Sequence, residues 1–252
     1  MNRLYSHSTQ SSTKLNAMKS NDDTFSVLCL HGKGNNGDTF KKILQPLEVR
    51  LKSKMNHCKV EFDYLNAPFQ MQEDNIEKLQ WWTMPPGVRS FNAFEYEGFE
   101  KTSILVRETM LSKNYDVVIG HSQGAILLSA LFSSKEWTEN VLKQRNDSEI
   151  CKLKRVVLNG CAWPNPFSSQ METFDSMQIK VDQDQDTSYV PKMLFIIGEA
   201  DKINPPESAE KVRDAFCERG VEVTSCYHER GHAVPVDDEK ALESIVDWIS
   251  SL

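Results

Sequence analysis

From Phe25 onward, short apolar runs alternate with longer stretches whose apolar positions recur every three to four residues. Phe25–Leu30 reads as a strand, and Asp38 then opens a segment in which Phe40, Ile43, Leu44, Leu47 and Leu51 share one helical face. Pro46 inside that segment predicts a kink. Val60, Phe62 and Tyr64 alternate as a half-buried strand does, and Asn66-Ala67-Pro68 ends it. The stretch from Phe69 to Phe94 follows neither period. It is rich in aromatic residues, Met and Pro, with Trp81-Trp82 and Pro85-Pro86-Gly87, and this predicts a loop or lid.

The pattern becomes helical again from Glu95 to Asn114, and Asp116–Gly120 reads as a strand buried on both faces. Residues 125–132 continue as a buried helix. Arg155–Leu158, Met193–Ile197 and Val221–Cys226 supply three more strands, while 207–219 and 238–250 are amphipathic helices, the first closed by Gly220. Such alternation implies an α/β fold: a mostly parallel central sheet with helices on both faces. No shift in composition divides the chain, so a single domain over 25–252 is expected after a polar tail, 1–24.

Composition narrows the classes of function. The longest apolar run, Ala125–Phe132, is too short to cross a bilayer, so no stable membrane insertion is expected. With 29 basic against 36 acidic residues, a net charge of −7 and no basic stripe, nucleic acid is excluded as the main partner. A small molecule or a protein is expected instead; oligomeric state is left open. The six cysteines form no C-x-x-C pair and no zinc spacing, and they read as reduced thiols of a cytoplasmic protein. Residues 1–24 lack the apolar core of a signal peptide, although their Ser/Thr-rich, acid-poor composition also matches an organelle transit peptide. Asp182, Asp184 and Asp186 match the opening of a calcium loop, but Thr187 and Met193 stand where that loop needs Gly and Glu. A solvated acidic loop is the expectation there, and no metal or cofactor is called for.

The chemistry is concentrated in Gly120-His121-Ser122-Gln123-Gly124, a G-x-S-x-G sequence between a buried strand and an apolar helix. A tight strand-to-helix turn needs residues without a Cβ two positions either side of the serine, and Gly120 and Gly124 meet that need. A serine hydroxyl is a poor nucleophile until a base takes its proton, so a histidine and an orienting carboxylate are required downstream. Asp201 lies just beyond the strand ending in Ile196-Ile197 and is the expected acid, with Glu199 as its rival. His232, beside Gly231 in the loop before the last helix, is the expected base. His228 at the strand end is expected to face solvent, and His121 to pack beside the serine. The order Ser, Asp, His is that of α/β-hydrolases. Two backbone N–H groups should form an oxyanion hole: Gln123, after the nucleophile, and Lys33, in the glycine-rich loop His31–Gly37. That loop lacks the spacing of either phosphate-binding glycine motif. Trp81 and Trp82 are candidate substrate-binding residues, of which at most one should face the acyl group, since neighbours in an extended segment point opposite ways.

Leu28-Cys29-Leu30-His31-Gly32, Asn36-Gly37, Trp81-Trp82, Tyr96-x-Gly98, the Gly120–Ala125 elbow, Gly198-x-x-Asp201 and Gly231-His232-x-Val234-Pro235 together resemble the FSH-type serine hydrolases. The resemblance spans nearly all of 25–252. It implies an esterase-like enzyme of the α/β-hydrolase fold with Ser122, Asp201 and His232 as its triad. Lys33 and Gly34 depart from it, standing where that family has bulkier apolar residues, and His121 replaces a common aromatic. Lys33 is either a lure for an anionic substrate group or an ordinary solvated lysine. The expected activity is cofactor-free hydrolysis of small or medium acyl esters through an acyl-enzyme. A thioesterase or lysophospholipase using the same triad, and a non-catalytic ligand receptor on the same scaffold, are the competing readings.

Overall fold

The computed structural model describes residues 24–71, 77–137, 153–174 and 191–251. The acidic stretch around Asp184, Cys151 and the tail 1–23 lie outside them. Six parallel strands form the central sheet: β1 (Thr24–Leu30), β2 (Lys59–Leu65), β5 (Val117–His121), β6 (Arg155–Asn159), β7 (Lys192–Gly198) and β8 (Val223–His228). Their spatial order is β2-β1-β5-β6-β7-β8. The chain runs outward from β1 to β2 and then crosses to β5 on the other side of β1. The carboxyl ends of β1 and β5 therefore flank the point where the winding reverses, where open α/β sheets leave a crevice.

Period-two alternation divides the sheet between two cores. Val27, Cys29, Val117, Ile119, Val157, Leu194 and Ile196 face α1 (Gly37–Lys54) and α6 (Glu239–Ser250). Leu28, Leu30, Val118, Val156, Leu158, Phe195 and Ile197 face α2 (Phe99–Lys113), α3 (Gln123–Phe132) and α5 (Pro206–Glu218). A short α4 (Ser168–Thr173) precedes β7. Burial on both faces explains why these strands read as continuous apolar runs.

Several boundaries differ from expectation, among them that of β8, which covers Val223–His228 rather than 221–226. The first helix continues through Pro46, because Phe40, Leu44, Leu47 and Leu51 on its buried face hold it to the sheet on both sides of the missing N–H. It begins at Gly37, capped by Asn36, whose side chain accepts from the Thr39 N–H (2.9 Å) while Thr39 Oγ1 accepts from the Asn36 N–H (2.9 Å). α2 starts four residues later than its pattern suggests. Glu97 pairs across the chain with Thr83 in an antiparallel bridge, and Gly98, at φ 82°, turns the backbone into the helix. Among its described residues the long connection is mostly irregular as expected, apart from the two-residue strands β3 (Phe69–Gln70) and β4 (Leu79–Gln80) and a 3-10 turn at Ser90–Asn92. Among the described residues, Cys29, Cys161, Cys217 and Cys226 are free thiols, and no helix is long and apolar enough to cross a membrane.

Candidate active site

β5 ends at His121 and α3 begins at Gln123, which leaves Ser122 to turn the chain alone. Its backbone sits at φ 53°, ψ −116°, a conformation that costs a non-glycine residue about 1–3 kcal/mol. The flanking packing enforces it. A Cβ on Gly120 would lie 2.7 Å from the Ala125 nitrogen, and one on Gly124 would lie 2.5 Å from the Leu30 carbonyl oxygen. The serine N–H donates to the Asn159 carbonyl (2.9 Å), which ties the elbow to the end of β6.

Asp201 follows β7 and is buried. One carboxylate oxygen, Oδ1, accepts from the N–H groups of Ile203 (2.8 Å) and Asn204 (3.0 Å); the other, Oδ2, lies 2.6 Å from His232 Nδ1. Burial pushes this carboxyl up, but the bonds from His232, Asn204 and Ile203 outweigh it and hold the group below its ordinary value. A carboxylate only accepts, so His232 carries its proton on Nδ1 and turns the lone pair of Nε2 outward. That lone pair receives the Ser122 hydroxyl at 2.9 Å. Gly231, at φ 62°, and Gly160, at φ 56°, make room for the imidazole; a Cβ on Gly160 would come within 3.1 Å of its ring. Hydroxyl, imidazole and carboxylate thus touch in series at the carboxyl ends of β5, β7 and β8.

The first loop completes the setting. A Cβ on Gly32 would lie 3.1 Å from the Ser122 Cβ, so Gly32-Lys33 runs directly beside the serine. The Lys33 side chain is exposed. Gln123 begins α3, and a first-turn N–H has no acceptor within its own helix.

Several residues take positions the sequence did not suggest. Trp81 and Trp82, expected near the substrate, are both fully buried. Trp82 stacks on Tyr96 with ring centroids 4.4 Å apart, and Trp81 donates its Nε1–H to the His31 carbonyl (2.7 Å), so neither offers surface to a ligand. His228 is also buried rather than solvent-facing, because its ring folds back to accept the Arg230 N–H at 3.1 Å. Glu199 is exposed and takes no part in the relay. Asn204 escaped notice altogether: buried in the acid's loop, it binds Asp201 through its N–H and the Gly160 carbonyl through Nδ2 (2.7 Å). The Gly198-x-x-Asp201-x-x-Asn204 spacing is its only trace in the sequence.

His121 packs beside the serine as expected, its ring centroid 5.1 Å from that of His232, and its Nδ1 accepts from Asn159 Nδ2 at 2.7 Å. Burial first, and then the neighbouring His232, lower its pKa from 6.5 to about 3. Unfolding frees this imidazole to take up a proton. Stability should therefore decline as pH falls from 6.5 toward 3, by up to about 1.4 kcal/mol per pH unit. Burial lowers His31 and His228 too, with the same sign. Thermal melts are expected to show a lower Tm at about pH 5 than at neutral pH, and a shallower slope in His121→Phe.

A parallel sheet covered on both faces, with a strained serine at the turn from strand to helix and His and Asp in later loops, defines an α/β-hydrolase. The family model described as Serine hydrolase (FSH1) matches residues 19–243, and the chain belongs to that family. Esterase OVCA2 of Danio rerio is 28% identical over 132 residues, 44% of this chain and 56% of that protein, so the match spans little more than half of the relative's length. The fold is shared with a Bacillus cereus carboxylesterase (TM-score 0.59, 16% identity, 93% of this chain and 94% of that one). It is also shared with Zea mays acyl-protein thioesterase 2 (TM-score 0.57, 15% identity, 91% and 94%).

Proposed function

We propose that the protein hydrolyses carboxylic esters of small or medium acyl groups through a Ser122-His232-Asp201 triad. The observation that carries this reading is the unbroken relay from hydroxyl to imidazole (2.9 Å) to carboxylate (2.6 Å). His232 Nε2 takes the Ser122 proton as Oγ attacks the acyl carbonyl carbon. The oxyanion is received by the N–H groups of Gln123 and Lys33. Collapse expels the alcohol, which leaves with the proton from His232, and an acyl-enzyme remains. Water, deprotonated by the same imidazole, attacks the ester carbonyl; the bond to Ser122 Oγ then breaks, the serine takes the proton back from His232, and the acid is released. Asp201 keeps the imidazole in the tautomer that accepts and stabilises the cation that forms.

A fluorophosphonate probe tests the nucleophile directly. Wild-type protein is expected to be labelled and Ser122→Ala not, and equal labelling of both would remove Ser122 from the chemistry. The relay reads the acyl carbonyl rather than the leaving group. Turnover of p-nitrophenyl esters of short and medium chains, measured beside acyl thioesters and lysophospholipids, therefore decides the leaving group.

A further inference from the structure

The buried segment that the sequence offered as a pocket wall has a different connection to the site. Leu79 holds the first loop by two main-chain bonds: its carbonyl accepts from the Gly34 N–H (2.8 Å), and its N–H donates to the Asn35 carbonyl (3.0 Å). Two residues on, the Trp81 indole donates to the His31 carbonyl at the base of the same loop (2.7 Å). The His31 ring stiffens that base further. Its Nδ1 donates to the Gly32 carbonyl (2.8 Å), while Nε2 accepts from the Ala67 N–H (3.1 Å). On its other side the segment is gripped by the elbow. Gln123, 2% exposed, accepts the Trp81 N–H at Oε1 (3.0 Å) and donates from Nε2 to the Trp82 carbonyl (3.3 Å). Thr102 of α2 closes the arrangement by donating to the Trp81 carbonyl.

We infer that Leu79–Trp82 is a brace fixing the Lys33 N–H relative to the Gln123 N–H, and that Trp81 is its central positioning residue. The inference rests on the oxyanion hole proposed above. Oxyanion stabilisation depends on donors held in place before charge develops, and a 1 Å misplacement can cost about a hundredfold in rate. The sheet fixes where β1 and β5 end, but the loop beyond β1 needs its own tether. Trp81 spans the gap, touching His31 with its indole and Gln123 with its main chain.

Trp82 supplies a matched comparison. It is equally buried and adjacent, but its Nε1 has no partner among the described residues. Trp81→Phe and Trp82→Phe remove the same atoms from the same region, and only the first cuts a bond to the loop. Trp81→Phe is expected to lower kcat about tenfold to a hundredfold with KM within about threefold of wild type. Its affinity for a trifluoromethyl ketone, whose hemiketal oxygen occupies the oxyanion position, should weaken by the same factor. Trp82→Phe, which removes an unpaired donor, should lose no more Tm than Trp81→Phe while keeping kcat within about threefold. Thr102→Val, which loosens the brace without shortening a ring, provides the same readout if Trp81→Phe does not fold. Equal kcat losses in the two tryptophan variants, or a kcat loss without weaker ketone binding, would overturn the brace. If the wild-type protein neither labels with fluorophosphonate nor turns over any ester, the hydrolase reading itself has failed.

Discussion

Asp201→Asn is expected to lower kcat by about 10⁴-fold while the fold survives. The argument lies in the two main-chain donors on Oδ1. The N–H groups of Ile203 and Asn204 both point at that oxygen, so an amide introduced here must keep its carbonyl toward them. Its NH2 then occupies the Oδ2 position, 2.6 Å from His232 Nδ1. Two donors cannot share that contact. The imidazole must accept at Nδ1 and move its proton to Nε2, where it faces Ser122 and blocks the very site that should receive the hydroxyl proton. Shape, volume and the two loop bonds are all retained, so a Tm close to wild type beside a collapsed kcat on a p-nitrophenyl ester is the expected pair of results. A loss smaller than about tenfold would mean that Asp201 does not set the tautomer.

Gly198→Ala should act on both stability and turnover. A Cβ at this last residue of β7 would sit 1.8 Å from the Gly231 carbonyl oxygen, a main-chain atom that cannot rotate aside. The loop carrying His232 must therefore lift away from the loop carrying Asp201. Overpacking of this kind costs about 3 kcal/mol, or about 6–12 °C of Tm in a domain of this size. The displaced imidazole should cost the folded fraction at least about tenfold in kcat. Gly87→Ala is the comparison: Gly198 has no positive φ, so its methyl acts by collision alone, whereas Gly87, at φ 79°, has nothing within 4 Å of its added Cβ and acts by backbone strain alone. A loss of Tm and kcat in Gly198→Ala no larger than in Gly87→Ala would mean that the collision is relieved without moving His232.

The elements whose burial is decided locally were the most legible. Val117–Gly120 and Ala125–Phe132 are apolar without interruption because both lie in the interior, and their strand and helix appear where the pattern placed them. The relay was legible because each member carries a local mark: glycines around Ser122, a strand end before Asp201, a glycine before His232. Trp81, Trp82 and His228 were misplaced for the opposite reason. An aromatic side chain at a pocket wall and one in a core look alike in sequence, and what distinguishes them here is contact with His31 and Tyr96, and with Arg230 across a turn. Asn204 and the side chain of Gln123 were missed because their partners, Gly160 and Trp81, are remote along the chain.

The pairing of Leu30 with Gly120 in adjacent parallel strands has a consequence for how such a site can change. Neighbouring strands stand about 4.8 Å apart whatever side chains they carry, because main-chain amides set the interval. The roots of the loop and of the elbow are thus measured out by a ruler that substitution cannot stretch. New substrate preferences must then arise by recarving the walls around a frame of constant width.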